Sequence, residues 1–199
     1  MTLLILWRHG QTSWTVDRRI QGQTDVELTD AGLEQARLAA PRLAALKPTV
    51  LISSDLQRAA RTQAALAAIV GLPVTYDQRL RERTFGEWEG CTHAELTARW
   101  PESFARWKRG EPVDDAGVEE VDALSKRTST VLQEAVDAAP ADGVIVAATH
   151  GAAARYATCA LLGWPASAAP TLGPLHNCHS THLSFDSVRG WQLLAHNLP

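Results

Sequence analysis

The chain has 199 residues, 45% of them hydrophobic, and a formal net charge of -3. That is enough to build one domain around its own core, and it lacks the basic excess of a general nucleic-acid or membrane-surface binder. Three scattered cysteines, Cys91, Cys159 and Cys178, argue against a disulfide framework. No apolar stretch approaches the about 18 residues of a membrane span, and the first residues lack a basic leader and cleavage site. A single cytoplasmic domain over residues 1–199 with free thiols is expected.

Leu3–Trp7 is an apolar run of strand length, as in a strand covered on both faces, and it ends in Arg8-His9-Gly10. Thr29 or Asp30 then caps a helix with apolar positions at Leu33, Ala36, Ala40 and Leu43, which Pro41 should kink or restart. Thr49–Ser54 is a second strand, and Asp55 is expected to cap a helix running to about Gly71. Pro73–Asp77 and Gly143–Thr149 are further strands, the latter followed by a helix from about Ala152 to Leu162. Thr181–Phe185 and Trp191–Asn197 form a closing hairpin around Arg189-Gly190. Strands alternating with helices imply an α/β fold, a mostly parallel sheet with one antiparallel element near the end. Cys91–Glu120 breaks the alternation: Trp100, Phe104 and Trp107 have helical spacing, and a polar loop follows. This helical insertion over one end of the sheet serves either packing or substrate enclosure.

Ligands of open α/β sheets bind beyond the carboxyl ends of the strands. Here those ends carry Arg8-His9-Gly10, Ser53-Ser54-Asp55 with Arg58 in the next helix, and Thr149-His150-Gly151. Glycine behind the histidine permits a tight turn that leaves the imidazole pointing out of the sheet. Two arginines and two histidines brought together repel one another unless an anion sits among them. A tetrahedral oxyanion such as phosphate satisfies them with bidentate arginine contacts. For Glu82, flanked by Arg81 and Arg83, the residues alone favour a salt bridge with one neighbour. There is no GxxxxGK[ST] loop and no GxSxG elbow. His176, Cys178, His179 and His182 lie close in sequence, but alternate strand positions point to opposite faces, so no metal is assigned. Trp88, Trp100, Trp107, Trp164 and Trp191 read as packing residues of core or lid.

Five segments, LLILWRHGQTSW, RIQGQTDVELTDAG, SSDLQRAARTQ, LRERTFGEWEGCTHAEL and ATHGAAAR, together resemble the histidine phosphatase superfamily in its phosphoglycerate-mutase-like branch. They occur in the family's order over nearly the whole chain. The resemblance implies a three-layer α/β/α sandwich. It also implies a histidine acid phosphatase-type phosphomonoesterase, metal-independent and without cofactor. Its substrate would be a small phosphorylated metabolite, a sugar phosphate or a phosphoglycerate-like compound.

By position, the resemblance makes His9 the nucleophile that becomes a phosphohistidine, its Nδ1–H held by a backbone carbonyl so that Nε2 attacks. Arg8, Arg58 and a protonated His150 form the phosphate pocket, with Gly10 and Gly151 beside the histidines, and Gln21 and Gly22 belong to a segment that closes over the substrate. Glu82 becomes the proton donor, which reverses the salt-bridge reading, and residues 91–120 become a lid or specificity insertion. Three positions depart from the family pattern. Thr15 replaces an asparagine that donates to phosphate, Gln11 replaces a glutamate, and Gly117-Val118-Glu119 replaces Gly-Glu-Ser before a long helix. The alternatives are a cofactor-dependent mutase, whose extra enclosing segments find no place here, and a non-catalytic phospholigand-binding protein. A homodimer is left open, and neither nucleic acid nor membrane is expected as a partner.

Overall fold

Apolar side chains alternating along short strands place one sheet between two helical layers. The computed structural model describes residues 1–113 and 115–199. Its strands are β1 Thr2–Arg8, β2 Val50–Ser53, β3 Val74–Tyr76, β4 Val144–Thr149, β5 Ser180–Asp186 and β6 Gly190–Leu198. They lie in the order β3-β2-β4-β1-β5-β6. The first four are parallel, while β5 runs antiparallel to β1 and β6 antiparallel to β5. The helices are α1 Ser13–Val16, α2 Asp30–Ala44, α3 Gln57–Val70, α4 His93–Arg99, α5 Pro101–Lys108, α6 Val121–Ala138 and α7 Gly151–Leu161.

Period-two alternation divides β1 between the two layers. Ile5 and Trp7 pack on Ala36, Ala39, Ala40 and Leu43 of α2 and Leu66 of α3. Leu4 and Leu6 pack on Val131, Leu132 and Val136 of α6 and Ala154 and Ala157 of α7. Both faces are covered, giving the expected α/β/α sandwich. None of the described helices is long and apolar enough to cross a membrane.

Three helix expectations are corrected. Leu33 is 46% exposed, and Gly32 and Ala39 take its place on the buried face of α2. Pro41 does not restart that helix, which runs unbroken from Asp30 to Ala44 with Pro41 at an exposed position of its last turn. Asp55 does not cap α3. That helix starts after Leu56, whose N–H donates to Ser54 Oγ at 3.3 Å, and the Asp55 carboxylate instead accepts two bonds from Arg81 at 2.7 and 2.5 Å.

The insertion has a small core of its own, built from Phe85, Trp88, Leu96, Phe104, Val113 and Val118, with Trp100 and Trp107 packed against it. Trp88 is fully buried there, edge-on to Phe104 and Trp107. Trp191 packs on Phe185, whereas Trp164 is 43% exposed and departs from the packing expectation.

One feature of the topology positions the site. β4 inserts beside β1, with Arg8 opposite Thr149 in the register. The chain leaving β1 reaches α2 on one face, and the chain leaving β4 enters α7 on the other. A crevice opens where successive connections diverge in this way.

Candidate active site

His9 and His150 each follow directly on one of these two adjacent strands. The His9 N–H donates to the Thr149 carbonyl at 3.1 Å, and the two imidazole centroids stand 5.2 Å apart. His9 is 3% exposed and His150 fully buried.

The His9 Nδ1–H donates to the Gly10 carbonyl at 2.8 Å, so Nε2 carries the lone pair. Nε2 has no hydrogen-bond partner among the described residues, and the ring lines a cavity of about 470 Å³. Burial foremost, then the Arg58 and Arg8 charges, hold His9 well below the usual histidine range, against the pull of the Gly10 carbonyl. The imidazole is therefore neutral and nucleophilic at neutral pH.

His150 differs from expectation. Arg58 Nε–H donates to its Nδ1 at 3.2 Å, so its own N–H sits on Nε2 and donates to Ser54 Oγ at 2.9 Å. Burial foremost, then Arg58, His9, Arg8 and Arg127, depress its pKa well below the usual value. Within this set of side chains the ring is neutral rather than protonated, because burial disfavours its charge and Nδ1 accepts the Arg58 N–H.

Arg58 is fully buried, and burial pushes its pKa down to about 10, opposed by the charges of Glu82, Asp25 and Glu89. Its remaining guanidinium nitrogens donate to the Thr24 and Gly22 carbonyls at 2.8 and 2.7 Å. Arg8 donates from one terminal nitrogen to the Leu175 carbonyl at 2.6 Å, while its buried Nε has no partner among the described residues. That orphaned donor marks where an anion would be welcome.

Glu82 is held by backbone. Oε1 accepts from the Arg83 and Ala153 N–H groups, each at 2.9 Å, and Oε2 accepts from Ala152 N–H at 3.0 Å. The carboxylate therefore seats on the first turn of α7, where unpaired N–H groups favour an anion. The salt-bridge reading is corrected: Arg81 pairs with Asp55, and Arg83 Nε donates to the Glu119 carbonyl at 2.7 Å.

The two glycines do not act as turn residues. A Cβ on Gly10 would lie 2.4 Å from the Gly32 carbonyl oxygen, so Gly10 lets two backbones touch. Gly151 opens α7 in ordinary helical backbone, and a Cβ there would meet Arg8 Nε at 3.7 Å and Glu82 Oε2 at 3.9 Å.

Residues 4–199 match the model of the histidine phosphatase superfamily (branch 1). The chain belongs to this superfamily. A glucosyl-3-phosphoglycerate phosphatase from Mycolicibacterium vanbaalenii is 37% identical over 187 residues, covering 91% of this chain and 83% of the relative. Phosphoglycerate mutase-like protein 4 of Arabidopsis thaliana is 38% identical over 156 residues, 76% of this chain and 67% of its own. The structure of a mycobacterial glucosyl-3-phosphoglycerate phosphatase in complex with VO3 superposes with a TM-score of 0.90 at 37% identity, covering 99% of both chains.

In this member of the superfamily the cavity meets Arg8, His9, Gln21, Gly22, Arg58, Glu82 and Gly151, while Gly10 and His150 are not part of its lining. Thr15 also reaches it, but its hydroxyl donates to the Thr12 carbonyl at 2.7 Å and accepts from Thr12 N–H at 2.9 Å, closing a capping box around α1. Asn177 reaches the site and donates from Nδ2 to the His9 carbonyl at 2.8 Å. The neighbouring cluster turns elsewhere: His179 Nδ1 meets the Asn197 carbonyl at 3.0 Å, His182 Nε2 meets Ser180 Oγ at 3.0 Å, and burial pushes the Cys178 thiol up to about 12.

Sequence reasoning missed two supports of the site. Glu89 accepts from the Gln23 and Thr24 N–H groups, the Thr24 hydroxyl and the Phe85 N–H, tying down the loop whose carbonyls hold Arg58. Gly22, at φ +53°, leaves room for it: a Cβ there would lie 2.0 Å from Glu89 Oε1. Arg127 pairs with Glu119 at 2.7 Å and donates to the Arg79, Arg81 and Glu82 carbonyls, fixing the backbone that carries Glu82. Glu119 thus braces this segment, and α6 begins at Val121 after Glu120, whose side chain makes no capping bond.

Proposed function

We propose that this protein hydrolyses phosphate monoesters of small metabolites through a phosphohistidine on His9, with Glu82 as proton donor. The observation that carries the reading is the neutral His9, its Nδ1–H fixed on the Gly10 carbonyl and its Nε2 lone pair free at a cavity flanked by Arg8 and Arg58. Nε2 attacks phosphorus in line, and the P–O bond to the alcohol breaks as the leaving oxygen takes a proton from Glu82. Water then attacks the phosphoryl group, its proton passes to the Glu82 carboxylate, and the P–N bond breaks to release phosphate and restore His9. Arg8 and Arg58 supply fixed positive charge to the equatorial oxygens. A phosphoryl dianion between these arginines and His150 also offsets the positive charge that, after burial, lowers the His150 pKa. The reading requires neither metal nor cofactor.

Glucosyl-3-phosphoglycerate, named for two of the relatives, is the substrate we favour, with residues 91–120 walling the leaving-group side through Trp107 and His93. The test is rapid quenching during turnover of p-nitrophenyl phosphate. Wild type should carry acid-labile, base-stable phosphate, and His9→Ala should carry none and show no turnover. Because His9 is buried, a melting curve is taken for the variant as well. Full activity in His9→Ala, or label on serine or cysteine, rejects the nucleophile.

A further inference from the structure

Arg155 has no part in the chemistry above. It lies on α7, four residues beyond Gly151 and three beyond Ala152, on the same helix face, and all three line the reaction cavity. Its Nε is buried without a hydrogen-bond partner, and no carboxylate pairs with its guanidinium among the described residues. A solvated surface arginine would not bury an unpaired donor, since that forfeits the donor's bond to water. Beyond it a second cavity of about 270 Å³ shares Arg155, Phe85, Trp107 and Ala152 with the first, so the guanidinium stands at the boundary of two open spaces. Burial lowers the pKa of Arg8, Glu82 opposes this and the nearby Arg155 charge adds to it, so Arg155 brings a further positive charge to the cavity that Arg8 lines.

Geometry indicates what belongs there. If Glu82 protonates the leaving oxygen, that oxygen lies beside the first turn of α7, where Ala152 and Ala153 hold the carboxylate. The carbon chain attached to it then runs out along the helix. Four residues of helix rise about 6 Å. In a phosphoglycerate the carboxylate carbon lies three bonds beyond the ester oxygen, roughly 4 Å, and a charge-assisted contact adds about 2.8 Å. A carboxylate so placed lies a few ångströms further along the cavity wall that Ala152 and Arg155 share, within reach of a long arginine side chain.

We propose that Arg155 is a specificity-determining residue that binds a carboxylate on the leaving alcohol, so that the enzyme selects phosphate monoesters whose alcohol carries that second anion. This rests on the phosphatase reading and on Glu82 marking the leaving-group side. The experiment compares 3-phosphoglycerate with glycerol 3-phosphate, which has a hydroxymethyl group in place of the carboxylate, as competitors of p-nitrophenyl phosphate hydrolysis. The readout is the ratio of their inhibition constants within each protein, so any general loss in a variant cancels. Wild type should favour the carboxylate about tenfold or more, the scale of one hydrogen bond to a charged group. Arg155→Gln should bring the ratio below about threefold, and Arg155→Lys, which keeps the charge without the planar fork, should fall between. A wild-type ratio near unity, an Arg155→Gln ratio equal to wild type, or a lysine variant no better than the glutamine one overturns the assignment. If wild type does not turn over p-nitrophenyl phosphate, the phosphatase reading fails. The same ratio measured by calorimetric titration of the two esters then still decides Arg155.

Discussion

Replacing Glu82 with glutamine separates chemistry from structure at one position. The carboxylate accepts three backbone N–H bonds, two at Oε1 and one at Oε2. Glutamine keeps the shape but turns one oxygen into a donor. With its amide nitrogen at the Oε2 position it keeps the Arg83 and Ala153 bonds and opposes only the Ala152 N–H; the reverse orientation would lose two bonds. One part-buried donor left unpaired costs at most about 1–3 kcal/mol, which in a chain of this size lowers Tm by about 2–4 °C per kcal/mol. The catalytic loss is larger and selective. A general acid contributes about 10²–10⁴-fold where the leaving group is a poor one. An alkyl ester should therefore lose about that factor in Glu82→Gln, while p-nitrophenyl phosphate, whose leaving group departs without a proton, should lose far less. Steady-state rates on both substrates, with single-turnover measurement of His9 phosphorylation and a melting curve, test this. Parallel losses on the two substrates in the phosphorylation step would refute the proton-donor role and leave Glu82 only its anchoring of α7.

Both site histidines should make the fold sensitive to acid. Burial foremost, then neighbouring charge, places the pKa of His9 and His150 well below the unfolded value near 6.5. Below that unfolded value the unfolded chain binds protons that the native state refuses. Stability is therefore fully present above about pH 6.5 and falls as pH drops beneath it, by at most about 1.4 kcal/mol per pH unit for each ring. Melting between about pH 7.5 and 5.5 checks this, and an acid-insensitive Tm would contradict the burial argument. The two glycines should diverge in stability. Gly10→Ala forces a Cβ to 2.4 Å from a carbonyl oxygen and should destabilise by about 1–3 kcal/mol. Gly151→Ala meets only ordinary contacts at 3.7 Å and beyond, and thermal melts of the two variants should differ by several degrees.

What the sequence determined by itself was local. Runs such as Leu3–Trp7 and Val144–Thr149 are short and apolar and each leads into a His-Gly pair, so strand, strand end and those pairs could be read from neighbours in the chain. The grouping of Arg8, His9, Arg58 and His150 was legible from their places at the ends of expected parallel strands, whereas Glu82 joined them only through resemblance to a family, because no spacing in the chain relates it to those positions. The tertiary structure decided that β4 lies beside β1, which sets the two imidazoles 5.2 Å apart. It also decided the partner of each charge. Arg81 turns to Asp55, Arg83 to the Glu119 carbonyl, and Glu82 to the backbone of α7. Glu89, Arg127 and Arg155 were indistinguishable from surface charges in the sequence, since a charged side chain carries no periodic signal of where its partner lies. Helix and strand follow from interactions a few residues apart, whereas the pairing and protonation of a charged group depend on what burial brings around it from distant parts of the chain.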